Sequence, residues 1–252
     1  MDNRQPTEME LIIETHIGLE RQGPGSPETI RKALGFLGDL SKIAKTADLA
    51  CGTGGQTMVI AKSVAGSVTG LDICPEFIGA FNRNAEKAGL NGRVKGIVGD
   101  MENLPFEKDS FDLIWSEGAI NEIGFERGLT HWRGFLKQGG YIAVSCPSWL
   151  TGERPEEAEG FWAVCGGLDG TDENIAAMKR AGYGFVAAFT LPDECWTENY
   201  FVQRAAEDVR ISGKYAGSEA VRAYVRGNEY EEDLYMRFGK HYGYVFYIGK
   251  KL

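Results

Sequence analysis

The sequence feature that most constrains this chain is the run at residues 46–57, TADLACGTGGQT. It predicts the end of a buried strand, a glycine turn and the first turn of a helix. Glycine has no Cβ, so it adopts positive φ and lets another molecule lie against bare backbone. A helix starting at about Gln56 would direct free N–H groups and its positive dipole end into the turn. The turn therefore suits a carboxylate or a phosphate, whereas Asp48 at the strand end suits a cationic group.

The glycine spacing leaves several interpretations of this turn. Dinucleotide-binding proteins prefer Gly-x-Gly-x-x-Gly, in which the third glycine allows close packing of helix and strand. Here the frame is Gly52-x-Gly54-x-x-Thr57, so the third glycine is absent, and Asp48 disfavours a pyrophosphate. An ordinary tight turn between strand and helix, with no ligand, is the remaining alternative.

Around this turn the hydrophobic pattern alternates between strands and helices. Helical patterns separate strand patterns at 45–49, 67–71, 94–98, 111–115 and 141–145. Such alternation implies an α/β fold with a parallel sheet, helices on both faces and right-handed crossovers. A further strand is predicted at 185–189. The last strand, at 243–248, follows a helical insert and fits an antiparallel edge strand.

The segment before the first strand contains two helix patterns. The first runs from Glu8 to about Glu20 and ends before the turn at 22–25. Ser26 can then cap a second helix, with Pro27 at its first position.

Acidic residues lie at or just after the ends of four successive predicted strands: Asp48, Asp72, Asp100 and Glu117. Ligands of open α/β sheets bind outside the carboxyl ends of the strands. Asp72, about twenty residues after Gly52, suits the two hydroxyls of a ribose, the alternative being a solvated strand-end carboxylate. Asp100 suits the amine of an adenine, or else caps a short helix that begins at Met101.

These motifs have the order found in a known enzyme family. LD at 71–72, GD at 99–100, LPF at 104–106, SFDLI at 110–114 and LKQGG at 136–140 follow the glycine turn. Over residues 44–145 the chain resembles the class I S-adenosylmethionine-dependent methyltransferases, in their ubiquinone/menaquinone-biosynthesis-like small-molecule branch. Gln138 stands where the family usually has proline. The resemblance implies a Rossmann-like, doubly wound, seven-stranded sheet, mostly parallel with an antiparallel last strand. It implies S-adenosylmethionine as cofactor and S-adenosylhomocysteine as product.

The resemblance also assigns roles to positions of this sequence. The glycine turn and Asp48 would hold the methionine end, Asp72 the ribose, and Ile73 would cover the adenine. The N-terminus of the helix that Ser26 opens could meet the donor carboxylate. The predicted cofactor site comprises Asp48, Ala50, Cys51, Gly52, Gly54, Gln56, Thr57, Asp72, Ile73, Asp100, Met101, Glu117, Gly118, Gly25 and Ser26.

The implied chemistry is displacement of a methyl group from a sulfonium, which requires mainly alignment of the reacting atoms. A general base is needed only for an acceptor that is protonated at the working pH. Glu117, His16 and His131 are the candidate bases. The alternative for each histidine is a structural role in its helix.

We predict a single domain over residues 1–252. It divides into an N-terminal helical lid (1–40), a donor-binding core (44–146) and substrate-covering inserts (147–170 and 191–240). Aromatic residues of the inserts would wall a small apolar pocket or enclose a cationic amine, or would simply pack the inserts onto the sheet. The predicted pocket residues are Trp149, Trp162, Trp196 and Tyr200.

The composition of the chain limits the kinds of partner that it can bind. The formal net charge of −9 disfavours a nucleic acid, whose phosphates require clustered Lys and Arg. The five cysteines form no Cys-x-x-Cys pair, so no metal site is predicted and free thiols in the cytoplasm are expected. No apolar run is long enough to span a membrane. We expect a monomer or homodimer acting on a small molecule. The alternatives are a nucleotide-dependent oxidoreductase and a non-catalytic S-adenosylmethionine-binding protein.

Overall fold

A computed structural model describes residues 4–252 of the chain, so residues 1–3 of the predicted lid lie outside the described residues. The strands are β1 (Lys45–Leu49), β2 (Ser67–Asp72), β3 (Val94–Val98), β4 (Phe111–Glu117), β5 (Leu136–Trp149), β6 (Tyr183–Thr190) and β7 (Tyr242–Lys251). The helices are α1 (Glu8–His16), α2 (Pro27–Leu34), α3 (Gly55–Ser63), α4 (Pro75–Lys87), α5 (Phe125–Arg133), α6 (Glu156–Val164), α7 (Thr171–Arg180), α8 (Glu194–Trp196), α9 (Val202–Lys214) and α10 (Glu219–Phe238). A π-helical turn, Thr197–Phe201, joins α8 to α9.

The strands form one seven-stranded sheet in the order β3-β2-β1-β4-β5-β7-β6. The pairs among β1 to β5 are parallel, and β7 is antiparallel to both β5 and β6. The predicted mostly parallel sheet with an antiparallel last strand is therefore confirmed. The strand order reverses between β1 and β4, and the carboxyl ends of those strands are where a doubly wound sheet binds ligands.

The prediction that the last strand lies at the edge of the sheet is wrong. β7 lies between β5 and β6, and β6 forms the edge. Residues 245–248 are all buried, as expected of a central strand covered on both faces. The long helical connection from α8 to α10 allows the chain to return to the sheet between β5 and β6.

The start of β5 also differs from the prediction. α5 ends at Arg133, and β5 already begins at Leu136, so the predicted turn at 137–140 lies within the strand. Gly139 has a φ of 73° there, and the pairing of β5 with β4 shifts register between Phe111 and Leu113. A β-bulge of this kind bends the strand without ending it.

Apolar side chains form a core on each face of the sheet. On one face α2, α3 and α4 pack against β2, β3 and β4, with Ile30, Ile60 and Phe81 fully buried. On the other face α5 and α7 contribute Trp132 and Met178. No helix within residues 4–252 has the length and apolar character needed to cross a membrane.

Two smaller clusters attach the peripheral helices. Leu11, Ile211 and Val221 join α1 to α9 and α10. An aromatic cluster joins the inserts to β5 and β7, and it contains Trp149, Trp162, Trp196, Phe201, Tyr235 and Tyr242. The N-terminal helix α1 and the second insert therefore pack against each other.

Candidate functional site

A cavity of about 230 Å³ lies at the carboxyl ends of β1, β2 and β4. Its lining includes these residues of the predicted site: Ala50, Gly52, Gln56, Asp72, Glu117, Gly118, Trp196 and Tyr200. It also includes residues that were not predicted: Arg21, Gln22, Gly23, Pro24, Phe77, Ala119, Glu231 and Tyr244. The strand-end acids Asp72 and Glu117 thus meet at one place, as their positions in the sequence indicated.

The glycine turn has one face toward the protein and one toward the cavity. Gly54 faces inward, because a Cβ there would lie 2.6 Å from the Phe81 ring. Gly52 faces the cavity and has a φ of 54°. The side chain of Gln22 covers it so closely that a Cβ on Gly52 would lie 2.1 Å from Gln22 Oε1. The segment after α1 therefore lies directly on the turn.

Asp48 lies beneath the turn instead of in the cavity lining. Its side chain is fully buried and accepts a hydrogen bond from the hydroxyl of Thr57. Thr57 also belongs to the predicted site and is likewise fully buried. Burial raises the pKa of Asp48 to about 8, and the bond from Thr57 opposes that shift. Cys51 is also fully buried. These residues shape the turn from inside the fold.

Asp72 connects the turn to β2. One carboxylate oxygen accepts from the Gly52 N–H at 2.8 Å, and the other accepts from the Cys74 N–H at 2.9 Å. Burial raises the pKa of Asp72, while these backbone bonds oppose the shift. The carboxylate thus has a fixed orientation at the edge of the cavity.

The residues predicted to contact adenine lie at an open edge beyond this cavity. The side chain of Ile73 is 71% exposed. The Asp100 carboxylate accepts from the Glu102 N–H and from Asn103, which lowers its pKa. The Met101 carbonyl accepts from Trp132 Nε1 at 2.9 Å. Their adenine-binding role stays a prediction.

A buried ion pair between Arg21 and Glu117 is the main feature that sequence analysis missed. Arg21 Nη2 donates to Glu117 Oε2, and Trp115 Nε1 donates to Glu117 Oε1 at 2.8 Å. The two charged side chains are only 8% and 5% exposed. Arg21 Nε is buried and has no hydrogen-bond partner among residues 4–252. Both oxygens of the candidate base Glu117 are thus engaged.

The segment that carries Arg21 is bonded to the turn and to the second insert. Gln22 Oε1 accepts from the Thr53 N–H at 2.9 Å, and the Gly25 carbonyl accepts from Asn199 at 3.0 Å. Gly25 packs against the Arg21 guanidinium, where a Cβ would lie 2.4 Å from Nη2. Ser26 caps α2 as predicted, accepting from the Thr29 N–H. Neither Gly25 nor Ser26 is part of the cavity lining.

A second cavity, of about 680 Å³, lies between α1, α9 and α10. It shares Gln22, Phe77, Tyr200 and Glu231 with the first cavity. His16 lines it, whereas Trp149 and Trp162 lie outside both linings, in edge-to-face contact with Tyr242. The π-helical turn brings Tyr200 to the junction of the two cavities; such turns often occur at functional sites.

Comparison with known proteins agrees with this arrangement. Residues 47–140 match the family model described as a methyltransferase domain. The chain is 35% identical over 101 residues to a sterol 24-C-methyltransferase of Gibberella zeae, covering 40% of this chain and 27% of that protein. It is 32% identical over 108 residues to a ubiquinone/menaquinone biosynthesis C-methyltransferase of a Geobacter species, covering 42% and 46%. The chain thus spans less than half the length of these curated relatives.

A similar fold is seen in the crystal structure of an S-adenosylmethionine-dependent methyltransferase from Geobacter sulfurreducens in complex with S-adenosylhomocysteine. The TM-score is 0.81 at 20% identity, and the match covers 96% of this chain and 98% of that one. An identity of 20% shows similarity of the fold alone. The family model instead matches residues 47–140, which include the glycine turn and the ends of the strands. The fold and these motifs together support a methyltransferase domain of the class I S-adenosylmethionine-dependent type over residues 47–140.

Proposed function

We propose that this protein transfers a methyl group from S-adenosylmethionine to a small-molecule acceptor. The observation that carries the proposal is the pairing of Arg21 and Glu117 beside Asp72 and the backbone of Gly52 in one strand-end cavity. The amino-acid part of the donor has one carboxylate and one ammonium. A buried guanidinium with a free Nε and a buried carboxylate fit those two charges.

The residues that would hold the donor follow from these contacts. Arg21 would bind the donor carboxylate and Glu117 the ammonium, each exchanging its present partner for a charged group of the ligand. Asp72 would accept from the ribose hydroxyls, and Ile73 would cover the adenine. When bound, S-adenosylmethionine supplies a methyl group already activated by its positively charged sulfur.

The chain itself provides alignment and exclusion of water. Trp196, Tyr200 and Tyr244 form an aromatic wall beside Glu117. Holding acceptor and donor in one geometry lowers the barrier to methyl transfer. Because Arg21 and Gln22 lie on the glycine turn, we propose that the segment 19–25 moves when the donor enters and closes over it afterwards.

The larger cavity supports a small, mainly apolar acceptor. It opens beside the first cavity, and the peripheral helices enclose it on several sides. The curated relatives named above are, by their names, a sterol methyltransferase and a methyltransferase of ubiquinone/menaquinone biosynthesis, and sterols and these quinones are apolar. The chain is acidic overall, which disfavours a nucleic acid. All five cysteines are free thiols, which supports a cytoplasmic location.

Calorimetric titration with S-adenosylhomocysteine and, separately, with NAD tests the proposal. We expect S-adenosylhomocysteine to bind in a one-to-one ratio and NAD to give no heat of binding. Binding of NAD alone would favour an oxidoreductase on the same fold. Absence of S-adenosylhomocysteine binding to the folded protein would refute the proposal.

A further inference from the structure

Six of the fourteen residues that line the larger cavity are apolar. These are Leu11, Ile12, Phe77, Ala220, Ala223 and Gly227. The last three lie on α10, and their small size leaves room between α10 and α1. A volume of about 680 Å³ is in the range of cavities that bind small organic molecules. The lining therefore suits the apolar body of such a molecule.

The charges of this cavity disfavour a cationic ligand. Glu231 is paired with Arg204, whose side chain is only 2% exposed and which also donates to the Asn228 carbonyl at 2.7 Å. Glu8, the other acidic residue of the lining, is exposed. The end of the cavity near Arg204 thus contains a guanidinium and a carboxylate, and the two charges already neutralise each other. A cation placed there would be close to Arg204 without a free carboxylate partner.

His16 presents its ring nitrogen Nε2 to Tyr200 in this cavity. The other ring nitrogen, Nδ1, lies 2.9 Å from both the Ile12 carbonyl and the Thr15 hydroxyl. The carbonyl can only accept, and the Thr15 hydroxyl already donates to the Leu11 carbonyl at 2.8 Å, so we assign the proton of the neutral ring to Nδ1. Nε2 is then an acceptor, and it lies 3.4 Å from the Tyr200 hydroxyl. Burial lowers the pKa of His16, as does Arg204, while Glu207 opposes the shift. These effects keep the ring neutral before the reaction, and Glu207 is the carboxylate that favours the imidazolium formed when Nε2 takes a proton.

Tyr200 connects His16 to both cavities. Burial raises its pKa to about 12, so the hydroxyl stays protonated and can donate to His16 Nε2. The Arg204 guanidinium lies 5.0 Å from the centre of the Tyr200 ring and helps to hold it. A hydroxyl that donates to His16 still has lone pairs that accept from a ligand.

We propose that the larger cavity binds the methyl acceptor as a neutral hydroxyl compound of the phenol or enol class, with Tyr200 receiving its hydrogen bond and His16 its proton. This inference rests on the proposed function. The acceptor oxygen gains the methyl carbon, and the carbon–sulfur bond breaks with its electron pair going to sulfur. The acceptor proton passes to the Tyr200 oxygen as the Tyr200 proton passes to His16 Nε2.

The chemistry of the acceptor explains why such a relay is useful. A neutral amine attacks through a lone pair and needs no base before the methyl group is transferred. A phenol or enol retains its proton near neutral pH and becomes strongly nucleophilic as the proton leaves. A buried neutral histidine in contact with a tyrosine hydroxyl therefore matches an O–H acceptor better than an amine.

Binding of matched probes to the protein saturated with S-adenosylhomocysteine tests the inference. The probes are 4-pentylphenol, 4-pentylanisole and 4-pentylaniline, which share an apolar body and differ in the polar group. We expect the phenol to bind about tenfold more tightly than the anisole, which corresponds to one buried hydrogen bond of about 1.4 kcal/mol. We expect the aniline, whose N–H groups are weaker donors than a phenol O–H, to bind less tightly than the phenol.

Substitutions distinguish proton transfer through Tyr200 and His16 from a role of these side chains in packing alone. In Tyr200→Phe and His16→Asn the preference for phenol over anisole should fall below about threefold, while anisole binding is retained. Tyr224→Phe is the matched control, because Tyr224 lines the same cavity and its hydroxyl contacts Thr15 instead of His16. It should keep the preference of the wild type. With S-adenosylmethionine in place of the product, the wild type should form the methyl ether of the phenol, detected by mass spectrometry.

Several results would overturn the inference while leaving the donor site intact. They are equal binding of phenol and anisole, preference for the aniline, no binding of any probe, and equal loss of phenol and anisole binding in Tyr200→Phe. Each would be obtained on protein shown by calorimetry to bind S-adenosylhomocysteine. Failure of that calorimetric control would instead count against the proposed function itself.

Discussion

Arg21 and Glu117 form an ion pair between the segment after α1 and the carboxyl end of β4, and both side chains are almost completely buried. Burying two charges is costly, and the gain in stability from such a pair is often small. Its position in the lining of the strand-end cavity suggests a different use. Each partner presents a charge that the amino-acid part of the donor can replace.

The first prediction concerns Arg21. We expect Arg21→Met to weaken binding of S-adenosylhomocysteine about tenfold to a hundredfold, the value of a charge-assisted hydrogen bond. Affinity for 5′-methylthioadenosine, which lacks the amino-acid part, should change less than about threefold. Isothermal titration of both ligands measures the difference.

The same substitution leaves Glu117 buried without its charged partner, which costs about 3–5 kcal/mol of folding free energy. The double variant Arg21→Met with Glu117→Gln is the control, because it removes the unpaired charge. It should recover much of the stability, measured by urea unfolding, without recovering affinity for S-adenosylhomocysteine. If Arg21→Met alone weakened the binding of S-adenosylhomocysteine and of 5′-methylthioadenosine equally, the proposed contact would be contradicted.

The second prediction concerns the open edge of the donor site. Ile73 is 71% exposed, so Ile73→Ala should change the free energy of unfolding by less than about 0.5 kcal/mol. If the side chain packs on adenine, the loss of apolar contact should weaken binding of S-adenosylhomocysteine about threefold to tenfold. Val209→Ala, at an exposed position of α9, is the matched control and should leave affinity unchanged. An unchanged affinity in Ile73→Ala would place adenine elsewhere.

The sequence predicts the central sheet well, because each strand there is a short apolar run between turn residues. β1 and β3 begin and end at the predicted residues. The position of β7 could not be predicted, since strand order depends on contacts between distant segments. The acids Asp72 and Glu117 were found because parallel strands end at a common edge.

Other parts of the site depend on tertiary contacts that have no local pattern. Arg21 is separated from Glu117 by ninety-six residues, and nothing in its neighbourhood distinguishes it from a surface arginine. Asp48 follows the family motif, yet its burial with Thr57 is visible only in the fold. Aromatic composition alone did not separate Trp149 and Trp162 from Trp196 and Tyr200, which lie near Glu117.

The third prediction concerns Gly54, whose φ is 88° and whose α-carbon faces the core. Gly54→Ala should lower the free energy of unfolding by about 2–4 kcal/mol, because a Cβ there meets the Phe81 ring and the backbone becomes strained. Gly89→Ala is the control: its φ is 67°, but a Cβ there has no neighbour within 4 Å. That variant should lose only about 1 kcal/mol. Similar losses in the two variants, measured by urea unfolding, would contradict the packing role of Gly54.

The last prediction concerns the pH dependence of stability. Burial raises the pKa of Asp48 to about 8, whereas an aspartate in the unfolded chain has a pKa of about 3.9. The folded state therefore holds a proton that the unfolded state releases between these pH values. The contribution of Asp48 to stability is complete below about pH 4 and is lost as the pH rises through about 8.

Asp48→Asn removes this titration and should flatten the fall in the free energy of unfolding between about pH 5 and pH 8. We expect the variant to be less stable than the wild type at the lower pH, because the added amide hydrogens lack a partner, and to approach or exceed it at the higher pH. Thr57→Val is the control, since it keeps the carboxyl group and should keep the slope. Parallel curves for the wild type and Asp48→Asn, from urea unfolding at several pH values, would show that Asp48 does not hold a proton in the folded state.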